Sequence, residues 1–328
     1  MSSVSSMSEG LVSTGATTRS VDLVDGVRLE VLDTGDGERD ERGICRESSR
    51  YHERDERGHH DKRDGRAVPL LLLHGFTGAA ATWVPLLPAL AVHRRVVAVS
   101  LHGHGASEAP PDPTRYAAAR AATDLVAILD LMAIERVAVL GYSMGGRVAL
   151  HLALELARTA PARLAALVLE SASPGIADEA DRAARRASDA ALADDIERDG
   201  VAAFVERWER LPLWDSQSAL SQHARERLRA QRLAGNARGL ANSLRGLGTG
   251  ATLPLHQRLH ELRAPTLVIC GAGDAKYTAI ARDMIAALPH AQLSVVAHAG
   301  HAVHLEQPHA FARAVNDFLD GVAIVASL

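Results

Sequence analysis

The chain has 328 residues, 47% of them apolar, and a formal net charge of −4. That length holds one large α/β domain with an insertion, or two modest domains, and the apolar share is enough for a sizeable core. The charge gives no footing for nucleic acid or an anionic membrane as partner.

The first twenty residues are rich in Ser, Thr and Gly and carry no apolar run of the kind a signal peptide needs. Residues 21–33 (VDLVDGVRLEVLD) predict two short strands around the turn signal Asp25-Gly26. Residues 35–66 are then dense in Arg, Asp, Glu, Gly and His, and the hexapeptide ERDERG starts at both Glu38 and Glu53. This reads as a duplicated, solvated, disordered insertion; its His52, His59 and His60 read as part of a flexible loop rather than a metal site. Beyond it, apolar strands alternate with helices. Residues 68–73 (VPLLLL), 95–100 (RVVAVS), 136–140 (RVAVL), 164–170 (LAALVLE), 266–270 (TLVIC) and 292–297 (QLSVVA) predict strands. Residues 116–132, with Leu125, Ile128, Leu129 and Met132 at helical spacing, and residues 144–158 and 311–319 predict helices. Continuous apolar strands separated by helices mean a mostly parallel sheet covered on both faces. Between residues 176 and 262 the alternation stops in a charged, helical stretch carrying Trp208 and Trp214. This is the pattern of a helical cap inserted after a strand. Cys45 and Cys270 are the only cysteines, which fits a reduced, cytoplasmic protein. No stretch reaches the length of a membrane span, and the apolar tail 321–328 is far too short for one. The chain thus divides into an extension and hairpin (1–34), the charged insertion (35–67), an α/β core (68–175 and 263–320) interrupted by the cap (176–262), and the tail (321–328).

Gly141-Tyr142-Ser143-Met144-Gly145 fits G-x-S-x-G, the sharp strand-to-helix turn that exposes a nucleophilic serine. Its context is present, an apolar strand ending at Leu140 and a helix beginning at Met144. Serine is weak unless an imidazole takes its proton. His301 follows the last strand, and Asp274 follows the strand ending at Cys270. All three lie beyond the carboxyl ends of parallel strands, where open α/β sheets place their sites. His298 and His304 are rivals for the base. His304 is open to two readings, a second polar group of the pocket or an ordinary helix-start histidine. His74-Gly75-Phe76-Thr77-Gly78 has the place of an oxyanion loop, so the backbone N–H groups of Phe76 and Met144 are the expected donors. Arg147 sits one turn after Ser143 in the first turn of the helix, where a cation is unfavourable by about 0.3–1 kcal/mol. Either a protein carboxylate or an anionic substrate is needed to compensate it.

The elbow, the Ser–Asp–His order and the HGF loop resemble the α/β-hydrolase superfamily over residues 68–320. More specific stretches are GYSMGGR (141–147), ESASPG (170–175), RAARR (182–186), WERLPLWDSQ (208–217), RAQR (229–232) and DAKY (274–277). Together they resemble the 2-succinyl-6-hydroxy-2,4-cyclohexadiene-1-carboxylate synthase family, which makes a menaquinone precursor by eliminating pyruvate from a substrate with three carboxylates. The resemblance implies an α/β-hydrolase fold and a lyase needing no cofactor or metal. Arg147, Arg185, Arg232 and Lys276 would bind carboxylates of the small-molecule substrate, and Tyr142 and Trp208 would line the pocket. The alternative is a serine carboxylesterase or C–C bond hydrolase using the triad for nucleophilic attack, and the charge of the cap pocket discriminates them. Two departures from the superfamily pattern stand out: the long insertion before Val68, and Ser100 and His102 in place of a common aspartate and proline.

Overall fold

A computed structural model of the chain describes residues 15–35 and 67–325. The charged insertion, but for Gly35 and Ala67, and the last three residues of the tail lie outside the described residues. The strands are β1 (Thr17–Asp22), β2 (Arg28–Asp33), β3 (Leu70–Leu73), β4 (Val96–Val99), β5 (Val137–Tyr142), β6 (Leu164–Glu170), β7 (Thr266–Gly271) and β8 (Ala291–Val296). They form one sheet in the order β1-β2-β4-β3-β5-β6-β7-β8. β2 pairs antiparallel with β1 and β4, and all pairings from β4 through β8 are parallel. The hairpin starts earlier than expected, at Thr17, because Arg19 and Ser20 pair with Val31 and Glu30 despite being polar and exposed. The first buried strand starts later than expected, at Leu70 rather than Val68.

The core strands are uninterrupted apolar runs because each face of the sheet is covered, and successive side chains alternate between the two covers. Leu71, Leu73, Val97, Val99 and Val139 pack on one face. Leu70, Leu72, Val96, Ala98, Ala138 and Leu140 pack on the other. Full burial of each such side chain contributes roughly 1.5–3 kcal/mol before the entropy cost is subtracted.

The helices are α1 (Leu87–Leu90), α2 (Ala118–Leu131), α3 (Met144–Thr159), α4 (Glu179–Trp208), α5 (Gln222–Leu233), α6 (Ala237–Leu247), α7 (Ala275–Ala287), α8 (Val303–Glu306) and α9 (Pro308–Val325). The last helix is longer than the expected 311–319, since Pro308 is suited to a first helical turn. Between β6 and β7 stand α4, α5 and α6, the expected helical insert. Gly200, at φ 82° and ψ 168°, breaks α4 and redirects the segment carrying Trp208. α6 is joined tightly to the core. A Cβ on Gly103 would lie 2.3 Å from the Cα of Gly239, backbone against backbone. Asn242 Nδ2 also donates to the carbonyls of Pro110 and Pro111, each at 3.1 Å. α5 is largely exposed, and Arg232 is its buried residue. No helix among the described residues is long and apolar enough to cross a membrane.

Candidate active site

β5 delivers Ser143 at the carboxyl end of the sheet. Its backbone, at φ 52° and ψ −108°, is in a region that a residue with a Cβ rarely occupies. Thr77 and Ser171, after β3 and β6, and His298, after β8, also have positive φ. Of the five non-glycine residues with positive φ among the described residues, four thus lie at the strand ends that form the site, and the fifth, Ala133, precedes β5. The elbow holds because glycines let backbone approach backbone. A Cβ on Gly145 would stand 2.3 Å from the Leu73 carbonyl oxygen and 2.5 Å from that of His74. Gly145→Ala should therefore push α3 away from the oxyanion loop. We expect a loss of about 1–3 kcal/mol in chemical denaturation, together with a fall in activity. An unchanged denaturation midpoint would refute the close-approach argument.

The three expected triad residues meet. His301 Nε2 lies 3.0 Å from Ser143 Oγ, and His301 Nδ1 lies 2.7 Å from Asp274 Oδ2. Burial alone would raise the Asp274 carboxyl, but the hydrogen bonds from His301 and from the Tyr277 N–H outweigh it and hold the group below its usual range. Asp274 thereby stays anionic and fixes the imidazole with its proton on Nδ1, leaving Nε2 to accept from Ser143. Asp274 also caps α7 through the Tyr277 N–H at 3.1 Å. Among the described residues, no acceptor takes the N–H of Phe76 or of Met144. Both remain available beside the elbow, as the oxyanion reading requires.

His74 and His104 brace this loop from behind. His74 Nδ1 donates to the Gly75 carbonyl at 2.8 Å, and its Nε2 accepts from the Leu101 N–H at 2.9 Å, so the ring must be neutral. Burial, reinforced by His104, pushes His74 down to about 3; burial pushes His104 down to about 4. In the unfolded chain both imidazoles take a proton near pH 6.5, which the folded chain refuses until about pH 4 or below. The unfolded state therefore binds more protons in this window, and stability is full above it and falls as the pH is lowered through it. We expect about 2 kcal/mol lost per pH unit between 6 and 4.5, read from urea midpoints. A flat profile there would contradict it.

The other expected site residues divide into two groups. Tyr142 is buried, with its ring 5.5 Å from that of His301. Trp208 joins Phe76 (5.5 Å) and Phe204 (5.5 Å) in an aromatic wall facing the oxyanion loop. Arg147 is buried and donates to the Leu247 carbonyl at 3.0 Å, at the end of α6. Among the described residues no carboxylate lies within ion-pair distance of it, and its Nε has no partner. Burial pushes its pKa down. Three other cations sit less simply than the sequence implied. Arg185 is half-exposed and pairs with buried Asp189 at 2.7 Å, one turn along α4. Arg232 is buried over Trp214 (5.2 Å) and already holds Glu209 (3.1 Å) and Gln217 (3.2 Å). Lys276 is exposed, with its ammonium 5.9 Å from the Tyr277 ring. His304 is a helix-start residue, buried against Glu170 rather than facing the triad.

Several contacts have no signature in the sequence. Trp214 and Tyr277 lie against His301, with ring centroids at 5.7 and 4.5 Å. Glu306 accepts from the N–H groups of Gly300 (2.6 Å) and Ala302 (3.2 Å), on either side of His301. The unusual His102 pairs with Asp124 at 3.0 Å, and Ser100 Oγ donates to Glu30, so both departures are absorbed by local hydrogen bonds.

Comparison with known proteins agrees with this geometry. The alpha/beta hydrolase fold family matches residues 68–308. A Bacillus subtilis protein provisionally named 2-succinyl-6-hydroxy-2,4-cyclohexadiene-1-carboxylate synthase is 41% identical over 80% of this chain and 94% of its own length. The Serratia proteamaculans protein of that name is 34% identical over 76% of this chain and 92% of its own. The structure of MenH from S. aureus superposes with a TM-score of 0.74 at 33% identity, covering 78% of this chain and 95% of that one. By the family match over residues 68–308 and these identities over most of both chains, the chain belongs to the α/β-hydrolase fold family and, within it, to the 2-succinyl-6-hydroxy-2,4-cyclohexadiene-1-carboxylate synthases.

Proposed function

We propose that the chain is a carbon–oxygen lyase. It eliminates pyruvate from 2-succinyl-5-enolpyruvyl-6-hydroxy-3-cyclohexene-1-carboxylate to give 2-succinyl-6-hydroxy-2,4-cyclohexadiene-1-carboxylate. The observation that carries this reading is Arg147, a buried guanidinium one turn from the nucleophile with no carboxylate within ion-pair distance among the described residues. A neutral ester gives such a charge no partner, whereas a tricarboxylate does. His301 Nε2 takes the Ser143 proton, and the serine oxygen removes a carbon-bound proton of the substrate. The electron pair moves onto the carbonyl oxygen as an enolate facing the Phe76 and Met144 N–H groups. Its return forms the C2=C3 double bond, shifts the ring double bond from C3=C4 to C4=C5 and breaks the C5–O bond; the departing enolpyruvate takes up the proton held on His301 and ketonises to pyruvate. No acyl-enzyme is needed.

Arg147 would hold the carboxylate nearest the reacting centre, with Arg185 next to it through Asp189. Arg232 would exchange Glu209 for a second carboxylate above Trp214, with Trp208 and Tyr142 lining the pocket. Exposed Lys276 would act from the rim. Buried Cys270, a free thiol, is compatible with a reducing cytoplasmic setting. The test is pyruvate release from the tricarboxylate, coupled to lactate dehydrogenase, beside hydrolysis of a short neutral ester. Rapid pyruvate release with poor ester turnover is expected. Efficient ester hydrolysis without pyruvate would replace the lyase by the esterase reading.

A further inference from the structure

The Ser143–His301 distance joins two segments that do not touch in the sheet, since β6 and β7 lie between β5 and β8. Glu170, the last residue of β6, grips both. Its main-chain carbonyl accepts from the Ser143 N–H at 2.8 Å. Its side-chain Oε1 accepts from the main-chain N–H of His304 at 2.9 Å and lies 2.8 Å from His304 Nδ1. His304 follows His301 by three residues and is the second residue of α8. Glu306 secures the internal shape of the histidine loop, but its contacts to Gly300 and Ala302 are all within that loop. Glu170 instead relates the loop to the nucleophile.

Both members of the Glu170–His304 pair are 0% exposed. Glu170 Oε2 and His304 Nε2 have no other partner among the described residues. The imidazole lies against Trp83 (4.9 Å) and meets Tyr142 edge-on (4.5 Å). An apolar side chain would fill this space without the desolvation cost of a buried carboxylate. What such a side chain could not supply is a directional bond between the end of β6 and the start of α8. We propose that Glu170, acting through His304, is a positioning residue that sets the separation of Ser143 Oγ and His301 Nε2. It touches no reacting atom. Its effect follows from the steep dependence of proton transfer on geometry, where a displacement near 1 Å costs on the order of 100-fold.

The inference rests on the triad alone, so its test does not depend on the lyase substrate. A small fluorophosphonate reads the Ser143–His301 pair directly. Ser143 Oγ attacks phosphorus, its proton passes to His301, the P–F bond breaks and fluoride leaves. Glu170→Gln keeps length and an acceptor oxygen, whereas Glu170→Asp is one methylene short of His304. We expect maximal labelling rates within about 3-fold of wild type for Glu170→Gln and at least about 10-fold lower for Glu170→Asp. The half-saturating probe concentration should stay within about 3-fold for both, with thermal melts showing folded protein. Should Glu170→Asp be unfolded at the assay temperature, His304→Phe, which keeps a ring and loses the Nδ1 bond, replaces it under the same thresholds. A wild-type rate in the shortened variant overturns the proposal. So does an equal loss in Glu170→Gln, which would make the charge rather than the reach decisive. Absence of pyruvate release with the labelling pattern intact would instead count against the lyase reading only.

Discussion

Ser143→Ala and His301→Ala should each lower pyruvate elimination by roughly 1,000-fold or more, while the double replacement costs little beyond either single one. The serine oxygen can take a substrate proton only if Nε2, 3.0 Å away, first accepts its own. Removing either atom abolishes the same step, so the losses cannot multiply. Asp274→Asn belongs to the same unit for a different reason. An amide at 2.7 Å from Nδ1 can present N–H instead of an acceptor, which reverses the tautomer and turns Nε2 into a donor toward Ser143. Substrate affinity should be nearly unchanged in all three. Turnover under saturating tricarboxylate and isothermal titration with the inactive variants separate the two quantities. Losses that multiply in the double variant would mean that Ser143 and His301 act in separate steps.

Arg147→Met should separate activity from stability. The methionine fills most of the space and removes a buried charge that is hydrogen-bonded to the Leu247 carbonyl and, among the described residues, has no carboxylate within ion-pair distance. Replacing a buried charge by a well-packed apolar group is often neutral or stabilising, so the melting temperature should hold or rise. Elimination should fall by about 2–5 kcal/mol in kcat/KM, the cost of a lost buried charge pair with the substrate, or roughly 30- to 5,000-fold. Arg147→Lys should recover only part of this, because a point charge cannot reproduce a two-pronged guanidinium. Arg185→Ala and Arg232→Ala should act mainly through KM if they hold remote carboxylates equally in ground and transition states. A variant that melts earlier yet turns over normally would make Arg147 a structural residue.

The parts of this molecule legible in the sequence are those governed by local rules. LLLL and VVAV are strands because a two-sided sheet buries every residue of a short apolar run. The elbow was legible because its strain needs small neighbours at fixed spacing, and Asp274 and His301 because catalytic side chains collect after strand ends. Arg147 was marked by helix electrostatics, and only tertiary structure could show that no carboxylate answers it. Arg232 and Lys276 could not be sorted by pattern. Whether a guanidinium is buried over Trp214 and held by Glu209, or an ammonium is left exposed, depends on how the cap lies on the core. Glu170 and Glu306 were invisible as functional residues for a related reason. A carboxylate that binds backbone N–H groups leaves no periodicity or spacing, and His304 lies 134 positions from Glu170.

The seam between Gly103 and Gly239 bears on how such enzymes can be recombined. One glycine belongs to the core loop after β4 and the other to α6, yet each occupies the volume that a methyl group on the other would need. A cap transplanted from a relative with any larger residue at the matching place would be lifted off its seat, and with it the Leu247 carbonyl that holds Arg147. Cap and core are therefore not interchangeable cassettes. A chimaera must carry both glycines together, or neither along with a wider seam.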